Sequence, residues 1–216
     1  MAALKVKSKR NIQSYRITAE KGQFPTDSQL QIRAADCPSD ITVLEILGEG
    51  EAPLPSCIPG LEWVGPFPNI KKVFFSDVEL GTLTLEKSFF VVLENVTLKN
   101  VSFQKMTLED FIQTLPPQLK SLSIINCGPF GSTEKWSKKL LPHLEQLDLS
   151  RNQLRKLPTW VQDLAALKRL TLDSNQLEAL PLYLKNLPKL NHLSLDGNPF
   201  SDEARVEIQK NFNLWF

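Results

Sequence analysis

Leu144-Glu-Gln-Leu147-Asp-Leu149-Ser-Arg-Asn152-Gln-Leu154 returns as Leu167-Lys-Arg-Leu170-Thr-Leu172-Asp-Ser-Asn175-Gln-Leu177, and again as Leu190-Asn-His-Leu193-Ser-Leu195-Asp-Gly-Asn198-Pro-Phe200. Each copy starts 23 residues after the one before. Three copies in one register mark an internal repeat, and a fixed period of this length means a stack of like units. Leu147 and Leu149 alternate along a short strand and point to one side. Stacked in parallel, such strands pool their inward leucines into one continuous core. The column Asn152, Asn175 and Asn198 falls where the chain leaves the strand. A buried turn leaves backbone N–H and C=O groups that need partners. A carboxamide carries both donor and acceptor, so it can serve its own turn and the neighbouring one.

Each copy returns through Leu-Pro-x-x-apolar-x-x-Leu: Leu157, Pro158, Val161 and Leu164, then Leu180, Pro181, Leu184 and Leu187. The proline suits the start of a short helical segment. On these residues the stretch resembles intracellular leucine-rich-repeat proteins with an LPxxLxxLxxLxLxxNxL unit and a period of 23 residues. Such proteins occur among cytosolic scaffolds and in many bacterial proteins. The resemblance implies an α/β solenoid, curved, with parallel strands on its concave face, where partner proteins usually bind. It implies neither an enzyme nor a cofactor. It also accounts for Cys127, since cysteine often takes the asparagine slot in that family.

The 216 residues suffice for one sizeable domain, and the net charge is +1. That balance gives no reason to expect nucleic acid or an anionic membrane as partner. Lys5, Lys7, Lys9 and Arg10 form a basic head, read as a solvated tail. No apolar signal segment and no bilayer-length run is read, so a cytoplasmic location is expected, with non-classical secretion left open. The three cysteines, Cys37, Cys57 and Cys127, show no metal spacing. A Cys37–Cys57 disulfide, as in secreted relatives, would need an oxidising compartment. The sequons at Asn95 and Asn100 would matter only there too.

Residues 1–40 do not fit the repeat and are read as an N-terminal cap built from a strand pair, Ile12–Thr18 with Leu30–Ile32, around a turn at Lys21–Pro25. A solenoid end needs such cover for its core and edge. Residues 41–200 form the solenoid, with repeats starting at 41, 70, 93, 119, 144, 167 and 190, hence about seven strands. The run Gly48–Pro68 is read as an irregular return because it is rich in proline and glycine. The N-terminal repeats are β-rich, with an extended convex side and an extra strand at Thr82–Leu85. Residues 201–216 form a capping helix, with Ser201 as N-cap and Ala204, Ile208 and Phe212 on one face. Leu214, Trp215 and Phe216 either pack there or mark a boundary.

Strand residues that avoid the core line the concave face in three rows. The first is Val43, Lys72, Asn95, Ser121, Gln146, Arg169, His192; the second Glu45, Phe74, Thr97, Ser123, Asp148, Thr171, Ser194; the third Leu47, Ser76, Lys99, Ile125, Ser150, Asp173, Asp196. Aromatic and arginine side chains tend to dominate binding energy. The candidate site is therefore Phe74, Lys99, Asp148, Arg169, Asp173, His192 and Asp196. Trp136, Trp160 and Tyr183 recur on the convex flank as an aromatic row, read as packed against neighbouring loops or, in the sharper reading, as a second candidate surface. His192 with Asp148, Asp173 and Ser194 superficially resembles a hydrolase set, but an open sheet offers no nucleophile elbow or oxyanion loop. Two carboxylates, Asp173 and Asp196, make a poor cation site, so no metal is expected. The function expected is a non-catalytic module that binds a protein partner. The alternatives are a bacterial effector or surface protein acting on host proteins, and the recognition arm of an enzyme such as a ubiquitin ligase or kinase.

Overall fold

The fold comes from a computed structural model, which describes residues 4–9, 12–19, 30–33, 35, 39, 41–48, 57–58, 61–128 and 141–212. In chain order the strands are β1 (Leu4–Lys9), β2 (Ile12–Ala19), β3 (Leu30–Arg33), β4 (Val43–Gly48), β5 (Cys57–Ile58), β6 (Leu61–Val64), β7 (Lys72–Leu80) and β8 (Asn95–Phe103). Helix α1 (Leu108–Gln113) follows, then β9 (Ser121–Ile125), β10 (Gln146–Asp148), β11 (Arg169–Thr171), β12 (His192–Ser194) and α2 (Asp202–Phe212). The main sheet runs β1-β2-β4-β7-β8-β9-β10-β11-β12, with β5 beside the second half of β7. From β2 to β12 every neighbour is parallel; β1 alone is antiparallel, on β2. The chain is a curved leucine-rich-repeat solenoid closed by a short C-terminal helix.

One strand residue pair per repeat makes the core. Leu44 and Ile46, Val73 and Phe75, Val96 and Leu98, Leu122 and Ile124, Leu147 and Leu149, and Leu170 and Leu172 are all at most 1% exposed. Each such side chain is worth roughly 1.5–3 kcal/mol of burial. The return segments close the other side. Thr159–Asp163 and Leu182–Asn186 form single 3₁₀ turns, each entered from its proline, and bury Val161 and Leu184. In the N-terminal half the filling is aromatic. Trp63, Phe67 and Phe90 meet edge-to-face and stacked, with centroids 4.9–5.6 Å apart. The Trp63 indole N–H donates to the Thr84 carbonyl.

The asparagine column is buried, with Asn152 at 0%, Asn175 at 5% and Asn198 at 8% exposure. Asn175 Oδ1 accepts the N–H groups of Asn152 (2.9 Å) and Leu154 (3.1 Å), while its Nδ2 donates to the carbonyls of Leu149 and Leu172. Asn152 likewise accepts from Cys127 N–H and donates to Ile124, and Asn198 accepts from Leu177 N–H and donates to Leu172 and Leu195. Cys127 heads the column; its thiol donates to the carbonyls of Ile125 and Leu98. Burial pushes that thiol up to about 11.

Several expectations are corrected. The basic head, read as a tail, is part of the sheet: Leu4–Lys9 is a strand paired with Ile12–Ala19. Residues 30–33 do not pair with that segment but with Leu61–Val64, in a separate two-stranded parallel sheet. The Gly48–Pro68 return is therefore partly strand. Thr82–Leu85 is not a strand, because its N–H groups are taken by the next repeat's side chains: Leu83 by Met106 Sδ and Leu85 by Thr114 Oγ1. The convex side there is not wholly extended. Helix α1 stands on it, held by a capping box between Thr107 and Asp110. The Lys21–Pro25 turn, Cys37 (and with it any Cys37–Cys57 bridge) and Leu214–Phe216 lie outside the described residues.

Replacing Asn175 by alanine strands four buried backbone groups, each costing about 1–3 kcal/mol when some relaxation is allowed. The expected loss is about 4 kcal/mol in urea unfolding, the lower end of that sum, with the fold retained in circular dichroism. A loss below about 0.5 kcal/mol, the level of an ordinary surface change, would mean the column is not structural.

Candidate functional site

Parallel pairing carries one strand position into the same position of the next, so the concave rows are continuous. In the first row, Val43, Lys72, Asn95, Ser121, Gln146, Arg169 and His192 are consecutive register partners. In the second, Glu45, Phe74, Thr97, Ser123, Asp148, Thr171 and Ser194 are likewise. The third is in strand register from Leu47 to Ile125. Beyond β9 it continues as turn residues, tied by Asn126 N–H to the Ser150 carbonyl and Arg151 N–H to the Asp173 carbonyl.

The candidate residues differ in what they offer. Lys99, Arg169, His192 and Asp196 are exposed, and Phe74, Asp148 and Asp173 are half-buried. Arg169 and His192 sit side by side on β11 and β12. Phe74 lies between Glu45 and Thr97. No ion pair joins Arg169 or His192 to Asp148, Asp173 or Asp196 among the described residues. Two carboxylates already hold turns: Asp148 Oδ1 accepts the N–H and O–H of Ser150, and Asp173 Oδ1 accepts Ser194 O–H (2.7 Å) and Asp196 N–H (2.9 Å). Among the described residues no cluster of three or more His, Cys, Asp or Glu side chains has metal-binding geometry. The second surface is mostly packing. Trp160 is buried, Tyr183 donates its O–H to the Pro158 carbonyl one repeat back, and Trp136 lies outside the described residues. Burial raises the Tyr183 phenol above its usual range.

Two features escaped the sequence reading. One residue past the third row, Asp77, Asn100, Asn126, Arg151, Ser174 and Gly197 all take φ between +52° and +70°. This left-handed column turns the chain off each strand; Asn and Asp tolerate it better than most side chains. Its first three members are bonded in series: Ser76 donates to Asp77, Asn100 Nδ2 to Asp77 Oδ1 (2.6 Å), and Asn126 Nδ2 to Asn100 Oδ1 (2.8 Å). Gly48 holds the equivalent position on β4 without a left-handed φ; a Cβ there would run into the Asp77 carbonyl. The recurrence of Asp77 and Asn100 one repeat apart, in polar turn residues, was the available signal. The second feature is an ion ladder before the first row. Lys120 pairs with Glu94 (2.8 Å) and Lys168 with Glu145 (2.9 Å), each across one repeat boundary.

The leucine-rich-repeat family model matches residues 117–177. No curated protein matches the chain. Among solved structures it is similar to InlP of Listeria monocytogenes, at 22% identity and TM-score 0.54, over 85% of this chain and 49% of that one. It is also similar to an internalin (InlF) from Listeria monocytogenes str. 4b F2365, at 21% identity and TM-score 0.54, over 82% of this chain and 47% of that one. The leucine-rich repeat domain of the type III effector XopL aligns at 27% identity and TM-score 0.49, over 61% of this chain and 46% of that one. The chain thus spans about half the length of the structures it matches. The Listeria likenesses give the fold.

The hydrogen bonds from Ser76 and then Asn100 hold the Asp77 carboxyl below its ordinary value of 3.8, helped by Lys99. A depressed folded pKa gives stability that is present above about 3.8 and lost as pH falls through the lower folded value. In NMR titration Asp77 is expected to have its midpoint below 3.8, and Asn100→Ala to move it back upward. An unchanged midpoint in the variant contradicts the ladder.

Proposed function

We propose that the chain, a leucine-rich-repeat solenoid, is a non-catalytic protein-interaction module whose partner lies along the concave strand face. The observation that carries this is the continuous register of the concave rows from β4 to β12. It sets a fixed lattice of side chains about 4.8 Å apart on an open surface. Such a face is formed before the partner arrives, so little ordering cost falls on binding. Phe74, Lys99, Asp148, Arg169, Asp173, His192 and Asp196 remain the proposed contacts. Members of that list differ in role: Lys99, Arg169, His192 and Asp196 are exposed, Phe74 is half-buried between Glu45 and Thr97, and Asp148 and Asp173 also hold turns. The 23-residue LPxxL subtype is part of the same proposal, supported by register partners such as Gln146, Arg169 and His192. So is the division into an N-terminal cap (1–40), the solenoid (41–200) and a C-terminal cap (201–216). Its support is the β1–β2 pair at one sheet edge and Ile208 of α2, 3% exposed, at the other end.

A second reading is a bacterial effector or surface protein that works on host proteins through the same face. It is favoured by the bacterial origin of the Listeria structures that share the fold. The two readings differ in compartment, cytoplasmic against exported, and fractionation of the producing cell separates them.

The concave face is tested by blocking it sterically. Gln146 and Lys99 are exposed there, so Gln146→Trp with Lys99→Trp should leave the circular dichroism and melting of the protein unchanged. In an affinity pull-down from matched lysate, the prey held by wild type is expected to be lost from this variant. Identical prey from both proteins would place the partner elsewhere.

A further inference from the structure

We infer that the first concave row takes an acidic segment of the partner protein. This rests on the proposal that the concave face is the binding surface. The row contains no carboxylate: Lys72, Asn95, Ser121, Gln146, Arg169 and His192 all offer donors. Lys72, Arg169 and His192 are exposed, and their side chains have no ion-pair partner among the described residues. The positions just before this row add Lys71, Lys120 and Lys168, against only Glu94 and Glu145, which are each spent on a lysine of the neighbouring repeat. The rim at the N-terminal ends of the strands therefore carries a net positive field.

The other two rows hold the carboxylates Glu45, Asp148, Asp173 and Asp196 and the exposed cation Lys99, and two of these carboxylates are bonded from within. Asp148 is two residues further along its strand and accepts both donors of Ser150; Asp173 accepts from Ser194 and Asp196. Their acceptor capacity is partly filled from within, whereas the donors of the first row are open. From Lys72 on, the first row thus holds only cations and neutral donors, while the carboxylates of the face lie in the other two rows. A ligand that presents carboxylates along the rim matches this pattern, and a basic one does not. Lys72 and Arg169 are four strands apart in register, on β7 and β11, hence about 19 Å. An extended segment of about six residues covers that span. It would lie across the strands and meet Lys72 at one end and Arg169 with His192 at the other.

The test is fluorescence anisotropy with labelled peptides of about ten residues, one Glu-rich and one with every Glu replaced by Gln, at low salt where exposed charges are least screened. A single-stranded RNA of similar charge is the third probe. The expected result is that the Glu-rich peptide binds at least about tenfold more tightly than the Gln peptide and than the RNA. Lys72→Glu with Arg169→Glu should remove that preference; Lys72→Gln with Arg169→Gln serves if the reversal does not fold. Equal binding of the Glu and Gln peptides, an unchanged preference in both variants, or preference for RNA would overturn the inference. If the Glu-rich peptide fails while the Trp-blocked variant still loses its prey, the acidic segment is wrong and the concave face stands. If the blocked variant keeps all its prey, the face itself is wrong.

Discussion

A chain that leaves a strand inside a packed core takes its N–H and C=O groups away from water, and each must find a partner. In this solenoid the asparagine column supplies them. Asn152, Asn175 and Asn198 each accept an N–H from the preceding turn and each donate to a strand-end carbonyl of the preceding repeat. The bond pattern repeats because the need repeats. Serine is too short to do both tasks, and leucine would leave the turn unbonded. Cys127 can hold the first place in the column because its thiol donates to Ile125 and Leu98, and because Asn152 from the next repeat answers its N–H.

From that column the rest follows in order. Bonds of one turn to the next keep successive strands parallel and in register. Register carries leucine onto leucine inside and concave row onto concave row outside. The left-handed residues Asp77, Asn100, Asn126, Arg151, Ser174 and Gly197 then send every strand off at the same place. In the N-terminal half the chain does not fold back at once: β7 and β8 continue past this point, and Val78 pairs with Val101 and Leu80 with Phe103. That second limb gives the N-terminal end its β-rich flank, and the aromatic trio of Trp63, Phe67 and Phe90 fills the space behind it.

The legible part of the sequence was the part where one residue type has one job. Leucine spacing gave strand positions as far back as Ile41, and those strands are β4, β7, β8, β9, β10, β11 and β12. The concave rows came with them, since side chains alternate along a strand. The C-terminal helix was visible in Ser201 and the spacing of Ala204, Ile208 and Phe212. What could not be read depended on partners remote in sequence. Leu30–Arg33 finds Leu61–Val64 only in three dimensions. Thr82–Leu85 has the alternation of a strand, yet its N–H groups go to side chains about one repeat on. Asp148 and Asp173 looked like free carboxylates because a sequence does not show which hydrogen bonds are already made. Trp160 and Tyr183 read either as an aromatic row packed against neighbouring loops or as a partner surface, because their spacing says nothing about depth.

The central claim is that side-chain carbonyls of the column bond buried turn amides as firmly as strands bond each other. Native-state hydrogen exchange by NMR tests it directly. The amides of Cys127, Asn152, Leu154 and Leu177 should exchange as slowly as those of Leu149 and Leu172, whose partners are strand carbonyls. Protection of this kind reports opening of the packed unit, not of one loop. Fast exchange at the four turn amides beside slow exchange at Leu149 and Leu172 would contradict the account.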